Sequence, residues 1–142
     1  MRKYDMELYI EKDIDVRFSE VDSMGVVWHG AYPLYLEDAR EAFGEKYGLT
    51  YANYVAKGYY APIVDMQIQY KQPLRHETKI KIIARNIPTE AAKIIFEYEI
   101  RDRESNVLYS TGKTIQVFMD LNYQLVWQNP KWFEEWKNKW QK

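Results

Sequence analysis

Cysteine is absent from the chain, and histidine occurs only 2 times. Without thiols, disulfides, thiolate zinc sites and cysteine nucleophiles are all excluded. A metal site would have to rest on carboxylates, and no carboxylate cluster with ligand spacing is visible in the sequence. Excess charge of either sign is missing too, because 20 basic residues face 21 acidic ones. With no basic surplus to release counterions, nucleic acid is not expected as the main partner. Long apolar runs are also lacking. None approaches the roughly 20 residues that a membrane-spanning helix needs. The opening MRKYDMELYI is broken by charges and has no apolar signal core. A soluble, cytoplasmic protein is the expectation.

What is present is a surplus of aromatics, 16% of the residues, with 13 tyrosines and 5 tryptophans. Such side chains suit broad interfaces or an apolar pocket, although cores use them as well. The length fits one domain, and no repeat or low-complexity segment divides it, so residues 1–142 are read as a single domain. IDVRFS, at 14–19, alternates Ile14, Val16 and Phe18 with Asp15, Arg17 and Ser19, the pattern of a half-buried strand. From about Ala31 to Tyr47 the period becomes helical, through Tyr32, Tyr35, Leu36, Ala39, Ala42, Phe43 and Tyr47. Pro33 suits the first turn and Gly48 a helix stop.

After a tyrosine-rich connection at 50–60 come four strand patterns. Val64, Met66, Ile68 and Tyr70 alternate with polar residues in the first, and Ile80, Ile82 and Ala84 mark the second. Ile94, Phe96, Tyr98 and Ile100 mark the third. The fourth, VLYSTGKTIQVFMD, is long, and Gly112 within it points to a bulge or a close backbone approach. The short links NIPTE (86–90) and DRESN (102–106) make these strands antiparallel neighbours. The tail NPKWFEEWKNKW opens a last helix, with Asn129 as N-cap and Pro130 at the first helical position. Its Trp132, Trp136 and Trp140 repeat every four residues and are expected to pack on the sheet or a neighbouring subunit. Lys131, Lys137, Lys139 and Lys142 keep a membrane-surface helix as the alternative. The order of elements gives an α+β domain, one long helix on one antiparallel sheet.

The stretch VDSMGVVWHGAY, residues 21–32, carries the chemistry. A loop that feeds a helix start presents backbone N–H groups with no intrahelical partner. With the helix dipole they favour developing negative charge. Asp22 lies just upstream on the same loop. A carboxylate beside such amides is a kit for acyl transfer: the carboxylate activates water or attacks directly, and the amides hold the oxyanion. His29 could steady the substrate carbonyl. On spacing alone, Asp22 reads more readily as a turn or cap residue, and His29 equally well as a histidine bonded to backbone. His76, in PLRHET, reads as an exposed turn residue.

The run from Asp22 through Gly25, Val26, Val27 and His29 to Tyr32, followed by Glu37-Asp-Ala39-Arg40, resembles the signature of the hotdog-fold thioesterases. It is most similar to the 4-hydroxybenzoyl-CoA thioesterase family, including the acyl-CoA thioesterases associated with the Tol-Pal system. The pattern D-x-x-G-V-V-x-H-x-x-Y is complete here. Tyr70-Lys-Gln-Pro73, Phe96-Glu-Tyr-Glu, Gly112-Lys-Thr114 and Asn129-Pro130 extend the likeness, more weakly, over nearly the whole chain. The resemblance implies a hotdog fold, a long central helix wrapped by a curved antiparallel sheet, with a short C-terminal helix. It implies Asp22 as the catalytic carboxylate, nucleophile or general base, with His29 beside it. It further implies amides around His29 and Gly30 that polarise the thioester carbonyl, with Val27, Tyr32 and Glu37 in the substrate site. Glu37 would stand near the acyl pocket of a partner subunit, and Lys93 would contact the CoA phosphates.

No cofactor or metal is implied. The partners would be an acyl-CoA or acyl-carrier-protein thioester and a second copy of the chain, as a homodimer or a dimer of dimers with the site at the interface. The histidine favours aliphatic or broad acyl groups over hydroxybenzoyl ones. Met24 and Pro33 depart from the family pattern; Met24 could reshape the acyl site, and Pro33 is compatible with a helix first turn. Two other readings keep the fold. One is a non-catalytic acyl-thioester binding protein, against which the intact Asp22 argues. The other is a hotdog dehydratase or hydratase, whose histidine and carboxylate belong to a different sequence setting.

Overall fold

The computed structural model describes residues 8–141. Among these, seven strands form an antiparallel sheet: β1 (Leu8–Asp15), β2 (Tyr59–Tyr60), β3 (Ile63–Tyr70), β4 (Lys79–Ile87), β5 (Lys93–Asp102), β6 (Leu108–Asp120) and β7 (Leu125–Val126). The path runs β1-β4-β5-β6-β2, and β3 and β7 also pair with β6. The helices are α1 (Tyr32–Tyr47), α2 (Tyr51–Ala56) and α3 (Lys131–Trp140).

Burial follows the period-two pattern of the sequence. Ile80, Ile82 and Ala84 of β4 and Ile94, Phe96, Tyr98 and Ile100 of β5 are all buried, as are Thr114, Gln116 and Phe118 of β6. Against them α1 sets Tyr35, Leu36, Ala39 and Phe43, residues that share one helical face. Phe43 meets Phe96 edge-on at 4.9 Å and Tyr47 at 4.5 Å. The long central helix in a curved sheet is the layout expected from the sequence.

Gly112 marks a close approach and not a bulge. Its register with Ile68 on one side and Tyr98 on the other is unbroken. A Cβ at this position would stand 3.0 Å from Leu36 Cδ1, so the missing side chain lets α1 settle onto β6. Gly112→Val is therefore expected to cost about 1–3 kcal/mol through overpacking. Its urea midpoint against wild type reads this directly; an unchanged midpoint would show that the helix has room to move.

Three elements differ from the sequence reading. The first strand lies earlier than the alternation over 14–19 suggests: β1 ends at Asp15, and Phe18–Glu20 form a 3-10 turn. β1 is an edge strand with little beyond Ile10 buried, and Phe18 is 79% exposed, so its side-chain pattern carries a weak signal. The tyrosine-rich connection contains α2. Asn53 N–H donates to Thr50 Oγ1 at 3.1 Å and Thr50 N–H to Asn53 Oδ1 at 2.8 Å, a reciprocal cap that starts the helix. In the tail, Pro130 holds the cap position and Lys131 is the first helical residue.

The tail tryptophans pack within the chain. Trp136 Nε1–H donates to the Tyr47 carbonyl at 2.6 Å, satisfying an acceptor at the open end of α1. Trp132 meets Phe118 edge-on at 5.9 Å, and Trp140 meets Tyr47 edge-on at 5.0 Å. No helix among the described residues is long and apolar enough to cross a membrane.

Candidate active site

The segment between β1 and α1 is pinned by backbone contacts. Bridges Val21–Val27 and Val26–Arg75 fold it into a loop against the chain after β3. Asp22 N–H donates to Val26 O at 2.9 Å, Trp28 N–H to Glu20 O at 3.0 Å and Val27 N–H to Leu74 O at 2.7 Å. The reversal depends on Gly25, whose φ of +79° is costly for residues with a Cβ. Its N–H closes the turn on Asp22 O at 3.0 Å.

This loop orients the carboxylate. Met24 N–H donates to Asp22 Oδ1 at 2.8 Å, and Val26 N–H reaches the same oxygen at 3.5 Å. One oxygen is held and the other is free of donors among the described residues.

Seven residues on, His29–Ala31 form a 3-10 turn that runs directly into α1. The amides of His29 and Gly30 precede any intrahelical acceptor and have no backbone acceptor among the described residues. The Trp28 ring covers Gly30 so closely that a Cβ there would overlap it. His29 is exposed, and its ring meets that of Trp28 edge-on at 5.4 Å.

Beside the turn lies a cavity of about 250 Å³ lined by Val27, His29, Tyr32, Tyr70 and Lys71. The structure thus gathers Val27, His29 and Tyr32, with Gly30 in the same turn. Val27 contributes apolar lining, because its N–H is already bonded to Leu74. Tyr32 is buried and packs edge-on against Tyr70 at 4.7 Å; burial, with a smaller effect from Tyr70, pushes its hydroxyl pKa up.

Glu37 and Lys93 are not brought to this place within one chain. Glu37 lines a second cavity of about 540 Å³ with Arg40, Tyr51, Tyr54, Ile63 and Gln116. There Arg40 Nη2 stands 3.7 Å from Glu37 Oε1, and Arg40 Nη1 donates to Tyr98 Oη at 3.4 Å. Lys93 begins β5 opposite Val117, near the Ile63 end of the sheet, whereas the motif loop lies near the Tyr70 end of β3. Among the described residues no group of three or more histidine or acidic side chains is placed to hold a metal ion.

Two supporting residues were missed in the sequence. Tyr35 Oη–H donates to Glu20 Oε1 at 2.7 Å, tying α1 to the turn whose Glu20 carbonyl accepts Trp28 N–H. Burial, reinforced by Glu20, pushes the Tyr35 hydroxyl pKa up and keeps it a donor. Tyr35 looks like any apolar-face tyrosine, and nothing in the local pattern points to its partner. Tyr70 Oη–H donates to the His29 carbonyl at 2.9 Å, a contact across 41 residues that strand periodicity cannot reveal.

Residues 16–137 match the model of the thioesterase-like superfamily. The chain belongs to this superfamily. It has the hotdog fold. Among solved thioesterases it is similar to the DHNA-CoA thioesterase of Staphylococcus aureus, with a TM-score of 0.81 and 27% identity, covering 92% of this chain and 90% of that one. Bacillus subtilis (strain 168) has a relative, provisionally named acyl-CoA thioesterase YneP, that is 39% identical over 66 residues. That match covers 46% of this chain and 48% of the relative. The chloroplastic acyl-acyl carrier protein thioesterase ATL3 of Arabidopsis thaliana is 29% identical over 121 residues, 85% of this chain and 64% of that protein. The chain thus spans about half to two-thirds of the length of these two relatives.

Proposed function

We propose that this thioesterase-superfamily protein hydrolyses acyl thioesters of coenzyme A or acyl-carrier protein to free acid and thiol, as the 4-hydroxybenzoyl-CoA thioesterase family does. The observation that carries the reading is the Asp22 carboxylate, held at Oδ1 by Met24 N–H and open at Oδ2, on the loop that ends in the His29 and Gly30 amides. The thioester carbonyl oxygen takes the charge and is met by those amides. In one route an Asp22 oxygen attacks the carbonyl carbon, the C–S bond breaks, thiolate leaves, and water cleaves the resulting anhydride. In the other, Asp22 takes a proton from water, and the hydroxide displaces the thiolate. Both end in the same acid and thiol.

The remaining site residues fit a homodimer. Among the described residues β3 pairs only with β6, and its Val64 and Met66 are 59% and 37% exposed. A free strand edge with apolar side chains is a template for pairing. Antiparallel pairing of β3 with its copy about a two-fold axis sets the Tyr70 end of one chain against the Ile63 end of the other. Glu37 and Lys93 both stand toward the Ile63 end, so a partner's cavity would lie beside Asp22 and a partner's Lys93 within reach of a CoA phosphate. Sedimentation is expected to give twice the chain mass of 17.2 kDa. A monomer that hydrolyses thioesters would overturn the shared-site part of the reading.

His29→Ala separates ring from amide. The backbone N–H survives the substitution, so thioester hydrolysis is expected to fall by about tenfold or less, well short of the loss of a positioned proton-transfer group. A loss as complete as that of Asp22→Asn in kcat assays would move the catalytic role to the imidazole. Free-thiol release from acyl-CoAs, lowered by about 10²- to 10⁴-fold in Asp22→Asn, is the test of the function itself.

A further inference from the structure

The thioesterase reading uses the His29 and Gly30 amides but gives Tyr70 no task. Tyr70 closes β3, half exposed, with its ring against Tyr32 and its hydroxyl on the His29 carbonyl at 2.9 Å. That carbonyl lies in the 3-10 turn His29–Ala31, where a carbonyl accepts from the N–H three residues on. The Tyr70 hydroxyl is a donor to the same oxygen from outside the turn. Burial pushes its pKa up, so it stays protonated at neutral pH.

The His29 carbonyl and the Gly30 N–H belong to a single peptide unit. The chain has no cis peptide among the described residues, and a trans peptide plane sets its N–H antiparallel to its C=O. A donor fixed on the oxygen therefore fixes the direction of the N–H on the far side. It also polarises that N–H, since hydrogen bonds in series strengthen one another. The preceding peptide, which presents the His29 N–H, is fixed differently: its Trp28 carbonyl accepts from Ala31 N–H at 3.0 Å within the turn.

We propose that Tyr70 is a positioning residue of the oxyanion site, its hydroxyl holding the His29–Gly30 peptide so that the Gly30 amide is aimed and polarised toward the thioester oxygen. The inference rests on the thioesterase reading.

Tyr70→Phe keeps the ring on Tyr32 and removes only the donor. In the full-length chain, kcat for acyl-CoA hydrolysis is expected to fall about 2- to 10-fold, the worth of one hydrogen bond, with KM, melting temperature and sedimentation unchanged. In the Asp22→Asn background, the infrared carbonyl stretch of bound acyl-CoA is expected to rise toward its free value when Tyr70→Phe is added. Equal kcat in wild type and Tyr70→Phe sinks the inference while sparing the thioesterase reading. A loss of kcat that leaves the carbonyl stretch of bound acyl-CoA unmoved also overturns it. No turnover by wild type sinks the thioesterase reading and this inference with it.

Discussion

Asp22→Asn is expected to lower kcat for thioester hydrolysis by about 10²- to 10⁴-fold, the range for losing a positioned proton-transfer group. The substitution is nearly isosteric. Its amide oxygen can still accept Met24 N–H, now held by Asp22 Oδ1 at 2.8 Å, so the loop and its Gly25 turn survive. What disappears is the second oxygen as base or nucleophile, because a carboxamide is neither at neutral pH. The helix-start amides remain and still polarise a bound carbonyl, so binding should change less than turnover. The check is kcat and KM for wild type and variant on the same acyl-CoA, with circular dichroism to show that the fold is kept. A variant that turns over at the wild-type rate would remove Asp22 from the mechanism.

Phe43→Ala is expected to cost about 3–5 kcal/mol of stability, the usual range for emptying a fully buried phenylalanine site. Phe43 is 0% exposed, at the point where α1 presses on β5 through Phe96. Its ring also touches Tyr47, whose carbonyl takes the Trp136 indole N–H, so the cavity opens where three elements meet. Collapse around it is restricted, because Phe96 and Tyr98 are held in the sheet register on both sides. Urea unfolding followed by tryptophan fluorescence gives the value. A loss below about 1 kcal/mol would mean that α1 can sink into the gap, contrary to a rigid helix–sheet core.

The parts of this fold that were legible in the sequence are those with one buried face. In β4 from Ile80 to Ala84 and in β5 from Ile94 to Ile100 every second residue is apolar and buried, and α1 carries an apolar stripe, so period and environment agree. β1 is not legible, because its alternation is mostly solvent against solvent. Ile14, Val16 and Phe18 imitate a strand face across the point where the chain has already turned. β3 was legible as a strand, but Val64 and Met66 remain exposed in the single chain, and periodicity cannot say what covers them. In the site, the motif stretch came from one contiguous segment and could be read as such. The Tyr70 hydroxyl on His29 and the Tyr35 hydroxyl on Glu20 are set by packing between elements, and no local spacing encodes them. Glu37 and Lys93 lie away from the motif loop within one chain, and the proposed dimer is what would bring a partner's copies to it.

The account stands most directly on release of free thiol by the wild-type protein from a panel of acyl-CoAs, short, long and aromatic, without any added cofactor. It predicts turnover with acid and thiol formed one to one, and a rank order among the acyl groups. Acyl-CoA that binds but stays intact, or a product that remains a thioester, would contradict it.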